Sequence, residues 1–135
     1  MNITAFFTKI SIAGTACVAA VGGLMGGFDK LAHALIFLMV ADYILGLIVA
    51  IHQKKLNSRV GFKGLLKKIV MLGCVFVAVE LNTLMPDIPL RTIVISFYIA
   101  NEGISVIENI SKVAPVPEQM KKFFEQLKDK GGTSK

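Results

Sequence analysis

Residues 31–51, LAHALIFLMVADYILGLIVAI, hold one charged side chain, Asp42, in twenty-one positions. A helix needs about 20 apolar residues to cross some 30 Å of hydrocarbon, so this stretch is long enough to span a bilayer. Its apolar residues do not recur at the spacing that gives a helix one wet face, so the helix is apolar all round. Three more stretches have the same character, near residues 10–28, 69–86 and 88–107. Lipid offers backbone amides no hydrogen-bonding partner, and none of the runs alternates as a barrel strand would, so each must be helical. The expectation is an all-α, multi-pass membrane protein with about four transmembrane helices.

The rest of the composition agrees. Of 135 residues 54% are hydrophobic and 18% charged, and the mean hydropathy is +0.67. A soluble domain carries about 25% charged residues. The two cysteines, Cys17 and Cys74, lie in separate apolar runs without a metal-ligand neighbour and read as inert small hydrophobes. His33 and His52 have no second histidine at i+3 or i+4, so no metal site is expected. Gly14, Thr15 and Ala16 precede Cys17 without the leucine of a lipoprotein signal, and a second apolar run follows at once, so the first stretch is expected to remain as a membrane segment.

The net charge of +6 is concentrated between the second and third runs and in the tail. Residues 52–68 read as a basic cytoplasmic loop in which Lys54, Lys55, Arg59, Lys63, Lys67 and Lys68 stand without an acid. By the positive-inside rule that loop stays in the cytoplasm, and two crossings on either side put both termini there. Its lysines suit the anionic lipids of the inner leaflet. Nucleic acid is not an expected partner. The division expected is a helical membrane domain, 1–110, and a cytoplasmic tail, 111–135. In the tail Pro115-Val116-Pro117 ends one helix, and Met120, Phe123, Phe124 and Leu127 mark a short amphipathic one before a frayed 131–135 segment. That helix could lie on the inner leaflet or against a sister subunit.

Polar groups inside the apolar runs are the informative ones, because a charge at mid-bilayer costs roughly 2.5 to 3.5 kcal/mol on insertion scales. On a helix Arg91, Tyr98, Glu102, Ser105 and Asn109 share one stripe, with Asn101 and Glu108 at its edge. The stripe is expected to face water or a sister subunit after assembly, the alternative being burial within one subunit with Arg91 or Lys68 compensating an acid. Asp42 shares a face with Gly46 and Ala50, a close-packing seam that serves either an oligomer contact or a contact with the third helix, where Glu80 lies. The pairs Gly22/Gly26 and Gly23/Gly27 form overlapping G-x-x-x-G spacings, readable as a packing face or as a flexible, re-entrant segment. No nucleophile elbow, phosphate-binding glycine loop or paired cysteine is present, so no enzyme activity and no cofactor is expected.

Several strings resemble the clostridial-type phage-lysis and toxin-secretion holins. They are Asp42-Tyr43-Ile44-Leu45-Gly46, Leu56-Asn57-Ser58 with Gly61-Phe62-Lys63-Gly64-Leu65-Leu66-Lys67-Lys68, and Phe97-Tyr98-Ile99-Ala100-Asn101-Glu102-Gly103-Ile104-Ser105-Val106-Ile107-Glu108-Asn109, followed by the Pro115-x-Pro117 tail. The resemblance covers about residues 30–128. Glu80 stands where such proteins would carry Asp, and Ala114 where Gly often precedes the Pro-x-Pro. The resemblance implies a homo-oligomer that accumulates in the bacterial cytoplasmic membrane and forms non-specific lesions. These release an endolysin or a toxin, a cargo that need not touch the holin directly. The competing expectation is a small proton-coupled multidrug exporter, with Asp42 or Glu80 carrying protons.

Overall fold

A computed structural model describes residues 2–132, and the described chain folds into five helices: α1 (Ile3–Leu24), α2 (Lys30–His52), α3 (Ser58–Leu84), α4 (Leu90–Ser111) and α5 (Glu118–Gly132). Local chemistry sets their starts. Asn2, Asp29 and Asn57 each sit before a helix in extended conformation, and each accepts a backbone N–H from the first turn: Thr4 at 3.3 Å, Ala32 at 3.0 Å and Val60 at 2.9 Å. The start of α4 is capped from a neighbour, because the Arg91 amide donates to Asn82 Oδ1 at 3.1 Å while Asn82 Nδ2 donates to the Ile88 carbonyl at 3.0 Å. Asn82 thereby closes the Met85–Pro89 turn.

Helices α2, α3 and α4 form the bundle, and α5 folds back along α4. The core joins Ala32, Leu35 and Met39 of α2 to Met71 and Val75 of α3 and Ile95 of α4, with Met25 reaching in from the turn after α1. Large apolar side chains also point outward all around it: Phe37 is 63% exposed, Ile51 59% and Val70 65%. A surface of this kind is stable only where the surrounding medium is itself apolar. Helices α1, α2 and α4 are each long and apolar enough to cross a membrane.

Helix α3 falls outside that description because Arg59, Lys63, Lys67 and Lys68 load its first turns, which leaves residues 69–84 as its apolar part. The four expected spans thus correspond to four long helices, with corrected ends. The basic segment expected as a loop over 52–68 is a short turn around residues 53–57 followed by the beginning of α3, since the Asn57 cap starts the helix well before hydropathy rises. The first span, expected near 10–28, is a helix from Ile3 to Leu24. Hydropathy reads depth in lipid, whereas caps decide where a helix begins.

The glycines after Val21 have a different use from the one their spacing implies. Gly26 and Gly27 lie beyond α1 with φ of +77° and +107°, Gly26 N–H donates to the Gly23 carbonyl at 3.1 Å, and Gly27 N–H to Gly22 at 2.9 Å. This is a Schellman cap, which needs the left-handed conformation glycine adopts freely. The G-x-x-x-G packing face is therefore not formed, because two of its four glycines are outside the helix. Helix α1 itself stands clear of the bundle with its apolar surface exposed, joined at its C-terminal end through Val21 and Met25, which pack on the core.

The tail helix makes an intramolecular contact. It packs on α4 of its own chain, Phe124 seated over Gly103 so closely that a Cβ there would overlap the ring. Phe124 and Leu127 are half-buried, and Met120 and Phe123 remain exposed. Residues 131 and 132, expected to fray, are helical, and residues 133–135 lie outside the described residues.

Two substitutions separate capping from helix packing. A Cβ on Gly26 would lie 2.9 Å from Arg91 Nε and hold a strained φ, whereas one on Gly23 meets nothing within 4 Å. Gly26→Ala should lower unfolding free energy in detergent by about 1–3 kcal/mol, and Gly23→Ala should raise it by about 1 kcal/mol through helix propensity. Equal destabilisation by both would restore the packing-face reading.

Candidate functional site: a charged cluster between three helices

Each bundle helix buries a stripe, and each stripe contains one ionisable residue. In α3 the buried residues are Lys68, Met71, Val75 and Ala78, in α2 they include Leu35, Met39, Asp42 and Val49, and in α4 Ile95, Glu102, Gly103 and Ile107. The three stripes meet, and Lys68 Nζ forms ion pairs with both Asp42 Oδ2 and Glu102 Oε2. Relative exposures of 9% for Asp42, 8% for Lys68 and 0% for Glu102 put the whole cluster away from solvent. Asn109 completes it, donating from Nδ2 to Asp42 Oδ1 at 3.0 Å.

Small residues make the approach possible. A Cβ on Gly46 would lie 3.8 Å from Asn109 Nδ2, so α2 and α4 come close at the level of the cluster. Tyr43 lies against Gly61 and Gly64 of α3, and its hydroxyl donates to the Gly61 carbonyl at 3.3 Å. Beside the cluster is a cavity of about 170 Å³, lined among others by Asp42, Tyr43, Lys67, Ser105 and Asn109. Such a cavity has room for a few waters with several polar partners. Glu102 Oε1, also buried, has no hydrogen-bond partner among the described residues. Two carboxyls share one ammonium, so the cluster has fewer donors than its acceptors can use.

A second polar anchor ties the opposite ends of the helices. The Arg91 guanidinium donates to both Asp29 oxygens, at 2.8 and 3.0 Å, and to the carbonyls of Met25 at 2.5 Å and Gly27 at 3.1 Å. One side chain thus satisfies the end of α1, the cap of α2 and the beginning of α4. The Arg91 hydrogen bond, helped by the Ala32 amide, pushes the Asp29 carboxyl down from 3.8 to about 2.

The polar stripe of α4 is therefore divided within one subunit and does not present a continuous wet face. Arg91 belongs to the end clamp, Tyr98 packs against the core, Asn101 is half-buried, and Ser105 lines the small cavity. Glu102 and Asn109 turn inward, and Glu108 is exposed toward α5. Within the single subunit Glu102 is buried and compensated by Lys68. Asp42, with Gly46 and the buried Ala50, likewise makes an intramolecular contact. Glu80 is exposed near the end of α3 and takes no part in a packing seam. Lys54, Lys55, Arg59, Lys63 and Lys67 are exposed as expected of surface cations, but Lys68 is buried. Among the described residues no group of His, Cys, Asp and Glu is placed to hold a metal ion.

Comparison with known proteins gives this geometry a context. The model of the bacteriophage holin family matches residues 19–129. A probable holin of Bacillus phage phi105 is 34% identical over 88 residues, 64% of this chain and 65% of that protein. An uncharacterized protein of Listeria innocua is 39% identical over 118 residues, covering 86% of this chain and 83% of the relative. A 14.9 kDa protein from the nagH 3' region of Clostridium perfringens is 36% identical over 110 residues, 79% of this chain and 83% of its own length. No solved structure matches the chain.

Removing Lys68 strands two buried carboxyls, so Lys68→Met should cost about 3–5 kcal/mol in a denaturant titration of the detergent-solubilised protein. Adding Asp42→Leu and Glu102→Leu should recover most of that loss, because a buried ion cluster replaced whole by apolar residues is often neutral. A Lys68→Met cost below about 1 kcal/mol would remove the cluster from the stability of the bundle. At the other anchor the folded carboxyl of Asp29 lies below its ordinary value, so its contribution is present above pH 3.8 and fades as pH falls toward about 2. Asp29→Asn should flatten the wild-type loss of stability in that window.

Proposed function

The chain belongs to the bacteriophage holin family, and from that premise we propose that it accumulates in the bacterial cytoplasmic membrane, associates with copies of itself and opens lesions through which a cell-wall hydrolase or a toxin escapes. In this reading the bilayer is crossed by α1 to α4, the turn between α2 and α3 faces the cytoplasm, and both termini lie on that side. Exposed Lys54, Lys55, Arg59, Lys63 and Lys67 surround that turn, where the anionic inner leaflet favours them. Cargo passes by size and needs no docking site.

The observation that carries the mechanism is the inversion of polarity: apolar side chains outward, Asp42, Lys68 and Glu102 inward. A subunit of this kind is inert in lipid. It can therefore build up without leakage. At high density the same polar groups become useful, because helices that part and pair with those of neighbours expose Glu102, Ser105 and Asn109 to a shared wet interior, where Glu108 already has access to water. Water then replaces the lost ion pairs at little cost, since charges are cheap once solvated. Of the two carboxyls a proton-coupled exporter would use, Asp42 is held by Lys68, and Glu80 is exposed near the end of α3, outside the cluster enclosed by the three helices.

A cross-link across the bundle tests whether the closed subunit must open. With Cys17 and Cys74 replaced by Ser, Gly46→Cys with Asn109→Cys joins α2 to α4 at the level of the cluster. After induction, cells under oxidant should retain a cytoplasmic reporter enzyme, and reductant should release it within minutes. Release from fully cross-linked cells at the uncross-linked rate would show that lesions form without parting α2 from α4.

A further inference from the structure

The end of α4 nearest its C-terminus and the facing side of α5 enclose a cavity of about 410 Å³, the size of a small-molecule site. Its floor is apolar: Ile104, Ile107 and Phe124, with Ile107 buried. Its rim is charged. Glu108 and Lys112 come from the α4 side and Lys121 and Glu125 from α5, two charges of each sign. Among the described residues these four side chains form no ion pair with one another or with any other group, although they border one space. Opposite charges brought together by a helical hairpin usually neutralise each other, so their separation around a gap leaves both signs available to a ligand.

The chemistry of the lining restricts that ligand. An apolar floor calls for acyl or other hydrocarbon, which a free phosphate lacks. Paired lysines suit a phosphate group. Paired carboxylates suit an ammonium, and they would repel a second negative charge. The rim sums to zero and matches a zwitterion. The cavity also adjoins the end of a helix long and apolar enough to cross a membrane, the depth at which headgroups lie. We propose that the α4–α5 cavity binds one phospholipid whose headgroup carries an ammonium beside its phosphate, with Lys112 and Lys121 on the phosphate, Glu108 and Glu125 on the ammonium, and a chain laid over Ile104 and Phe124. This goes beyond lesion formation and does not depend on it. A bound lipid of this kind would hold α5 against α4 and make the tail helix responsive to bilayer composition.

Native mass spectrometry of the full chain in mild detergent tests the assignment, with phosphatidylethanolamine, phosphatidylglycerol and inorganic phosphate as probes. The wild type should retain one phosphatidylethanolamine with about tenfold preference over phosphatidylglycerol, and inorganic phosphate should not displace it. Glu108→Gln with Glu125→Gln should erase the preference while lipid is still retained. Lys112→Gln with Lys121→Gln should reduce retention of both lipids by about tenfold, the loss expected on removing charge-assisted hydrogen bonds. Lys112→Arg with Lys121→Arg should keep retention near wild type, which separates lost recognition from lost folding, and circular dichroism checks that α5 remains helical throughout. Equal retention of the two lipids by the wild type, an undiminished preference in the glutamine pair at Glu108 and Glu125, or displacement by inorganic phosphate would each overturn the proposal.

Discussion

One ammonium shared by two carboxyls holds the bundle in its register. Lys68 reaches Asp42 on α2 and Glu102 on α4 from a position on α3, so each helix contributes one ion and none can rotate without stranding it. In water such an arrangement would be worth little, since solvated charges lose their partners cheaply. Surrounded by hydrocarbon the same loss costs several kcal/mol, and the cluster becomes a constraint on helix rotation and depth. Apolar packing between helices could not impose it alone, because lipid tails are as good a neighbour as leucine.

The cluster also accounts for features around it. Gly46, Gly61 and Gly64 lie beside the cluster's neighbours, where an added Cβ would come into ordinary contact with Asn109 or Tyr43. The Arg91–Asp29 clamp fixes the far ends of α2 and α4, so the two helices are pinned at one end and again at mid-length. Helix α1 has no ion pair along its length, and it meets the rest near its C-terminal end, through Val21, its cap and Met25. The two polar anchors thus lie within α2 to α4 and the α1–α2 turn, and α5 packs along α4.

Much of the fold was legible because lipid imposes simple rules on composition. Long uncharged runs had to be helices, and their number and order follow from the runs themselves. The ends were less legible: Asn57 starts α3 among lysines, and hydropathy ranks that stretch as loop. The inward position of Lys68 was present in the pattern, since Lys68, Met71, Val75 and Ala78 are spaced along one face, and Lys68 reads both as a surface cation beside exposed Lys67 and as a partner for a buried acid. Gly26 and Gly27 misled through spacing alone, because four-residue intervals mark a packing face only if the helix continues through them. The clamp between Asp29 and Arg91 joins residues far apart in sequence, and nothing local announces it. Family membership rests on the order of strings along the chain, whereas the placement of the polar stripe needed three helices in space.

Solid-state NMR in bilayers tests the shared ammonium most directly. Protein carrying ¹⁵N-lysine and ¹³C-labelled carboxyls is diluted into an excess of unlabelled copies, so that only contacts within one subunit register, and Asp42→Asn and Glu102→Gln variants assign the signals. The account predicts that both carboxyl carbons are dephased by Lys68 Nζ in the diluted sample before any lesion forms. Dephasing that vanishes on dilution would place Lys68 against the carboxyls of a neighbour and contradict it.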